Sequence, residues 1–174
     1  VCNKVGGIYT VLSTKAKTMQ EKYKDRTIFI GPDIWKETTS PWFQEDNKLF
    51  AEWVKTISIY DRLKVRVGRW LIPGEPIVIL VDFESLFAHK DEIYSYMWHK
   101  FGVDSLHAYG DYDEACMFAY ATGAIIESFY RYYNLENKKV IAHFNEWMLG
   151  IGALYVKDRL PKVGTVFTTH ATSI

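Results

Sequence analysis

Cysteine is nearly missing from this chain of 174 residues, with Cys2 and Cys116 the only two and no CxxC or Cys/His spacing between them. A disulfide framework or a structural zinc site cannot be built from such a pair, so reduced thiols are expected. Net charge is missing too, since 21 Lys+Arg balance 21 Asp+Glu. Without a basic stripe to displace counterions, nucleic acid is not an expected partner. Neither a secretory signal peptide nor an apolar run of spanning length occurs, so a soluble, cytoplasmic protein with no membrane partner is expected. Internal repeats and low-complexity tracts are lacking. An initiator Met and a strand ahead of the first motif are also lacking, and the expectation is a fragment whose first parallel strand would precede Val1.

What is present is ordinary in bulk and unusual in one respect. The length suits one domain with a proper core. Apolar residues make up 48% and charged ones 24%. Aromatics reach 16%, with six Trp and twelve Tyr. Large rings fill cores, and they also suit sugar rings and domain interfaces.

Along the chain, Ile8, Val11, Leu12, Ala16, Met19 and Tyr23 fall on one helical face. "RTIFIG" (26–31) reads as a buried strand, and residues 32–48 as a loop. "LFAEWVKTISIY" (49–60) and "LKVRVGRWLI" (63–72) alternate like strands, with Asp61-Arg62 as a hairpin turn between them. "PIVILVDF" (76–83) is a continuous β-branched run, suited to a strand covered on both faces. Residues 84–112 carry weak helix signals broken at Gly102 and Gly110. A buried helix is expected from Glu114 to about Tyr133, a strand at 138–144, a helix at 146–159 and a strand at 163–170. This order implies an α/β fold: a Rossmann-like, doubly wound, mostly parallel sheet. Ligands of such sheets lie at the carboxyl ends of the strands. That rule selects the Lys4–Gly7 loop, the His143–Trp147 turn and the Thr168–Thr172 turn.

Each of these has two readings. Lys4-Val5-Gly6-Gly7 opens a helix and suits a diphosphate, through close backbone approach and free N–H groups, or it is only a turn. It is neither GxGxxG nor a Walker loop. In "HFNEWMLGIG" (143–152), His143 and Asn145 can project to the same side of a strand end, or Asn145 simply caps the next helix. His170, after a β-rich run, is a site residue or a structural histidine. Asp111, Asp113 and Glu114 precede the buried helix and complement its dipole, and no His or Cys joins them at metal-ligand spacing.

Taken in order, these segments resemble one family. "NKVGGIYTVLSTKA", "VGRWLIPGEPIVILVDF", "DEACMFAYATGAIIESF", "AHFNEWMLGIG" and "VFTTHAT" are similar to successive segments of the N-terminal domain of eukaryotic-type glycogen synthases. The resemblance implies residues 1–174 as the acceptor-side half of a GT-B glycosyltransferase, with a C-terminal nucleotide-sugar domain elsewhere. It implies retaining transfer of glucose from UDP-glucose to the 4-hydroxyl of an α-1,4-glucan, with no cofactor or metal and the fragment alone inactive. Lys4, Gly6 and Gly7 would meet the donor diphosphate. Asn145, His143 and Asp113 would be catalytic, and Glu146, Trp147 and His170 would lie on the sugar and acceptor side. The family motif His-Phe-His-Glu-Trp has a second histidine where this chain has Asn145, which hydrogen-bonds a hydroxyl but does not titrate. The alternatives are a glucan-binding module with lost transfer, or a synthase using ADP-glucose or another nucleotide sugar. Partners would then be the nucleotide sugar, the α-glucan, the missing domain and a second copy of the chain.

Overall fold

The computed structural model describes residues 1–4, 6–36, 38–61 and 63–170, with Tyr60 described by its backbone alone. Val5 of the first loop, Arg62 of the expected hairpin and the 171–172 part of the last turn therefore lie outside the described residues. The chain divides into two compact units, Val1–Asp82 and Phe83–Ile174.

In the first unit, α1 (Gly6–Tyr23) is followed by β1 (Ile28–Pro32), β2 (Phe43–Glu45), α2 (Ala51–Tyr60), β3 (Lys64–Trp70) and β4 (Ile77–Asp82). The strands form one sheet in the order β1-β4-β3-β2. β4 runs parallel to β1 and antiparallel to β3, and β2 is antiparallel to β3. The sheet is therefore mixed, against the expectation of mostly parallel pairing. The cause is the short Leu71–Pro76 connection, which returns β3 directly into its neighbour and leaves no room for a crossover helix. The β-branched run behaves as its composition demands, with Ile77 to Val81 all buried.

Residues 51–60 correct the strand reading. Trp53 and Ile57 are fully buried and stand four apart, so one helical face points inward while Ile59 is exposed. With a helix there, no hairpin joins 49–60 to 63–72. Trp70 anchors this core, with Tyr9 and Phe29 edge-on to its ring at 6.0 and 5.7 Å between centroids.

In the second unit, α3 (Lys90–Phe101), α4 (Asp111–Tyr132), β5 (Ile141–Asn145), α5 (Gly150–Arg159) and β6 (Gly164–Thr168) follow in order. β5 and β6 pair in parallel as a two-stranded sheet, with α5 as the crossover. α4 is apolar nearly all round, as its sequence predicts, and packs on α5 closely enough that a Cβ on Gly152 would sit 2.6 Å from the Ala119 carbonyl oxygen. Met97, Met117, Phe144 and Val156 form the centre of the core. α3 ends where Gly102 takes a left-handed conformation (φ 67°), one of the two breaks read from the sequence. Glu127 of α4, almost buried, is gripped by Arg159 through two hydrogen bonds of 2.9 Å.

Both cysteines are free and buried, and burial pushes the Cys2 thiol up to about 12 and raises that of Cys116. The tryptophans divide unevenly. Trp53 and Trp70 of the first unit are fully buried and Trp35 and Trp42 half-buried, whereas Trp98 and Trp147 of the second are 55% and 57% exposed. Among the described residues, no helix is long and apolar enough to cross a membrane.

Candidate functional site

The parallel pairing of β5 and β6 brings their carboxyl ends side by side, with Asn145 opposite Thr168 and His143 opposite Val166. Alternation sends Ala142 and Phe144 into the core and leaves His143 and Asn145 on the other face. Two cross-strand contacts result. His143 Nε2 lies 2.7 Å from Thr168 Oγ1, and His170 Nε2 lies 3.1 Å from Asn145 Oδ1.

Glu146 ties these strand ends together. Its N–H donates to the Thr168 carbonyl at 2.8 Å, and its buried carboxylate accepts the His170 backbone N–H. To do both, Glu146 adopts φ 73° and ψ 161°, a conformation that side chains other than glycine rarely hold. Such strain of order 1–3 kcal/mol persists only where surrounding contacts over-determine it. Here the two hydrogen bonds to β6 and to the residues after it do so. Asn145 is consequently not a helix cap: it ends β5, and a short 3-10 turn (Trp147–Leu149) separates it from α5, which has no side-chain cap at Leu149.

Asn145, Glu146, His143 and His170 are thus gathered at one place. Trp147 is not among them. It lines an apolar cleft of about 400 Å³ with Met148, Tyr112, Cys116, Leu154 and Phe167, beside the sheet face that carries Phe144. Asp113 stands in the first turn of α4, where its carboxylate accepts hydrogen bonds from the Tyr94 hydroxyl and from Lys90 Nζ at 3.0 Å. The Tyr94 hydrogen bond, with that of Lys90, holds the Asp113 carboxyl below its ordinary value. Its present task is to fasten α3 to α4. Asp111, Asp113 and Glu114 all fall in that first turn, as the helix dipole favours.

Lys4, Gly6 and Gly7 belong to the first unit. Val1 packs on Gly31 and the Cys2 carbonyl accepts the Trp35 indole N–H at 3.0 Å, so the segment leading to the loop is anchored. Lys4 Nζ lies 5.4 Å from the centre of the Trp42 ring, a cation–π contact. Gly6 opens α1 at φ 76°, and a Cβ on Gly6 or Gly7 would meet nothing within 4 Å. The first turn of α1 contains no acidic residue, so its N–H groups face no local counter-charge. Open space and bare backbone at the start of α1 leave room for close approach to its N–H groups, with Lys4 two residues ahead of Gly6 in the sequence. Because only Gly6 carries a positive φ, Gly7→Ala is expected to leave the melting temperature unchanged or slightly higher. Gly6→Ala should cost about 1 kcal/mol, read by calorimetry of both variants.

Thr168 opens the last turn that the sequence selects, but sequence reasoning gives it no role of its own. Its hydroxyl faces His143 and its carbonyl holds Glu146, yet nothing in "VFTTHAT" distinguishes it from Thr169 until the strand register is known. Among the described residues, no group of three or more His, Cys, Asp or Glu is placed to hold a metal ion.

Comparison with known proteins covers the whole chain. The sequence model of the glycogen synthase family matches residues 1–174. Glycogen [starch] synthase of Neurospora crassa is 34% identical over 99% of the chain and 24% of the relative's own length. That of Dictyostelium discoideum is 34% identical over 99% of the chain and 19% of the relative. The liver form of Mus musculus is 33% identical over 99% and 24%. The chain thus spans about a quarter or less of the length of the curated relatives it matches. With its full length covered by the family's sequence pattern, this chain belongs to the glycogen synthase family.

Proposed function

We propose that this chain is part of a retaining glucosyltransferase that moves glucose from a nucleotide sugar, UDP-glucose in preference to ADP-glucose, onto the 4-hydroxyl of a growing α-1,4-glucan. The observation that carries the reading is the joined Asn145–Glu146–His170 group at the carboxyl ends of two parallel strands, where α/β sheets take their ligands. The GT-B architecture, a Rossmann-like doubly wound sheet, a separate nucleotide-sugar domain, a cytoplasmic setting and self-association belong to the same proposal.

In this reading the protein works by positioning and electrostatics. Lys4 and the bare amides at the start of α1 neutralise the departing diphosphate. His143 and His170, with Asn145 beside them, form the glucosyl side of the site, and Glu146 keeps the strand ends in register. Asp113 is a sugar-side carboxylate with lone pairs beyond those given to Tyr94 and Lys90. Trp147 offers a ring face to the glucan.

The test is glucose incorporation into glycogen by the full-length protein, with UDP-glucose and ADP-glucose compared. Lys4→Ala is expected to slow transfer roughly tenfold or more, the worth of one hydrogen bond to a charged group. Unchanged turnover would remove Lys4 from the phosphate role, and turnover by residues 1–174 alone would refute the two-domain reading. Asn145, at the position of a family histidine, supports a second reading: a glucan-binding protein without transfer. Glycogen binding with no transfer, before and after Asn145→His, would favour it.

A further inference from the structure

We infer that Asn145 is a positioning residue for His170, setting the ring's tautomer and direction, and that His170 is the group of the pair that meets substrate. The functional half of this inference rests on the transfer reading above; the tautomer half does not.

The argument starts from donor and acceptor identity. The atom of Asn145 that faces His170 is Oδ1, which can only accept. At 3.1 Å the partner Nε2 must therefore carry the proton, leaving Nδ1 as the ring's acceptor. An asparagine holds this polarity at every pH, because neither its oxygen nor its amide titrates in the working range. A histidine in its place could present either a donor or an acceptor, so the ring at position 170 would have no fixed partner.

The backbone makes the contact specific. His170 is held by its own N–H on the Glu146 carboxylate, and Glu146 follows Asn145 directly in the chain. The strained Glu146 conformation and its bond to the Thr168 carbonyl fix the distance between the two side chains. The neighbouring contact differs in kind. The Thr168 hydroxyl, diagonal to His143 across the strands, can donate or accept, and it imposes no tautomer there.

An Nε2–H imidazole offers an sp² nitrogen to a sugar hydroxyl as an acceptor, which selects a ligand O–H donor.

Histidine-selective ¹⁵N labelling of the full-length protein reads the tautomer directly. The chain has five histidines, and the His170 signals are assigned by their loss in His170→Asn. The expected result is the Nε2–H form for neutral His170, a mixture in Asn145→Leu, and retention of the Nε2–H form in Asn145→Asp. A dominant Nδ1–H form in the unmodified protein would overturn the inference. Transfer kinetics supply the second readout. Asn145→Leu and His170→Ala should each lower kcat by about tenfold, and the double variant by no more than either. Losses that multiply would mean that Asn145 contacts the sugar independently and would overturn the positioning role. Absence of transfer in the unmodified protein would refute the transfer reading and the substrate role of His170, while the labelling would still decide the tautomer.

Discussion

Phe144→Ala is expected to lower the stability of the second unit by about 4 kcal/mol, the usual cost of emptying a fully buried phenyl site. Phe144 is 1% exposed and lies in the core among Met117, Tyr155 and Val156. Its ring edge approaches Gly152, where a Cβ would come within 3.1 Å, so α5 is seated on it directly. Small rearrangements will not refill the space, because α5 already touches the α4 backbone at Ala119. For a unit of this size, whose total stability is expected to be about 5–10 kcal/mol, such a loss is near half. Urea titration followed by circular dichroism measures it. Phe144→Leu should cost much less, and equal losses for the two would show that the site collapses. Because Phe144 separates His143 from Asn145 in sequence but faces the opposite way, the variant also tests whether the strand-end group survives loosening of the core beneath it.

Arg159→Leu is expected to cost about 2 kcal/mol at pH 7, and this penalty should fade in acid. Glu127 is 12% exposed at its side chain and Arg159 50%. Removing the guanidinium leaves a nearly buried carboxylate with Arg131, at 3.4 Å, and the Tyr155 hydroxyl to answer it. Fully buried pairs cost more to break, but water reaches the outer side of Arg159 and reduces the figure. The sign of the pH effect follows from the carboxyl. Burial pushes the Glu127 value up, but the Arg159 hydrogen bonds and the Arg159 and Arg131 charges outweigh it and hold it below normal. A depressed folded-state value means that the pair's stabilisation is present above the unfolded carboxyl range, about pH 4.3. It is lost as pH falls through the folded value. Stability of the two proteins measured from pH 7 to pH 3 should therefore converge at the acid end. A gap independent of pH would mean that Arg159 acts through its guanidinium over the Tyr155 ring, 5.9 Å from the centroid, and not through the Glu127 carboxylate. Glu127→Leu combined with Arg159→Leu should recover most of the loss.

How much of this could be read from the sequence depended on what kind of signal each element emits. The run Ile77–Val81 and the apolar α4 were legible because burial on all sides leaves no polar residue to confuse the pattern. Helix α2 was misread because its β-branched residues mimic alternation, while its true signal is the Trp53–Ile57 spacing. Three-residue β2 emits no signal of its own; its pairing with Gly68–Trp70 is a property of the partner strand. At the site, His143 and Asn145 were legible as residues at a strand end and His170 as a residue following one. Thr168 and the Glu146 clamp were not, since both depend on the register of β5 against β6 and on a left-handed backbone that a glutamate does not advertise. Asp113 was legible as an acid before a helix, yet its union with Lys90 and Tyr94 joins segments nearly a helix apart in the chain.

The uneven placement of tryptophan gives the protein an optical asymmetry. Unfolding the first unit moves four indoles out of buried or half-buried surroundings, so their emission shifts to the red. Unfolding the second changes little, because Trp98 and Trp147 already face water. Circular dichroism leans the other way, since α3, α4 and α5 place most of its helical signal in the second unit. Intrinsic fluorescence is therefore a private reporter of residues 1–82. Coincidence of its transition with that of the helical signal tests whether the two units melt as one.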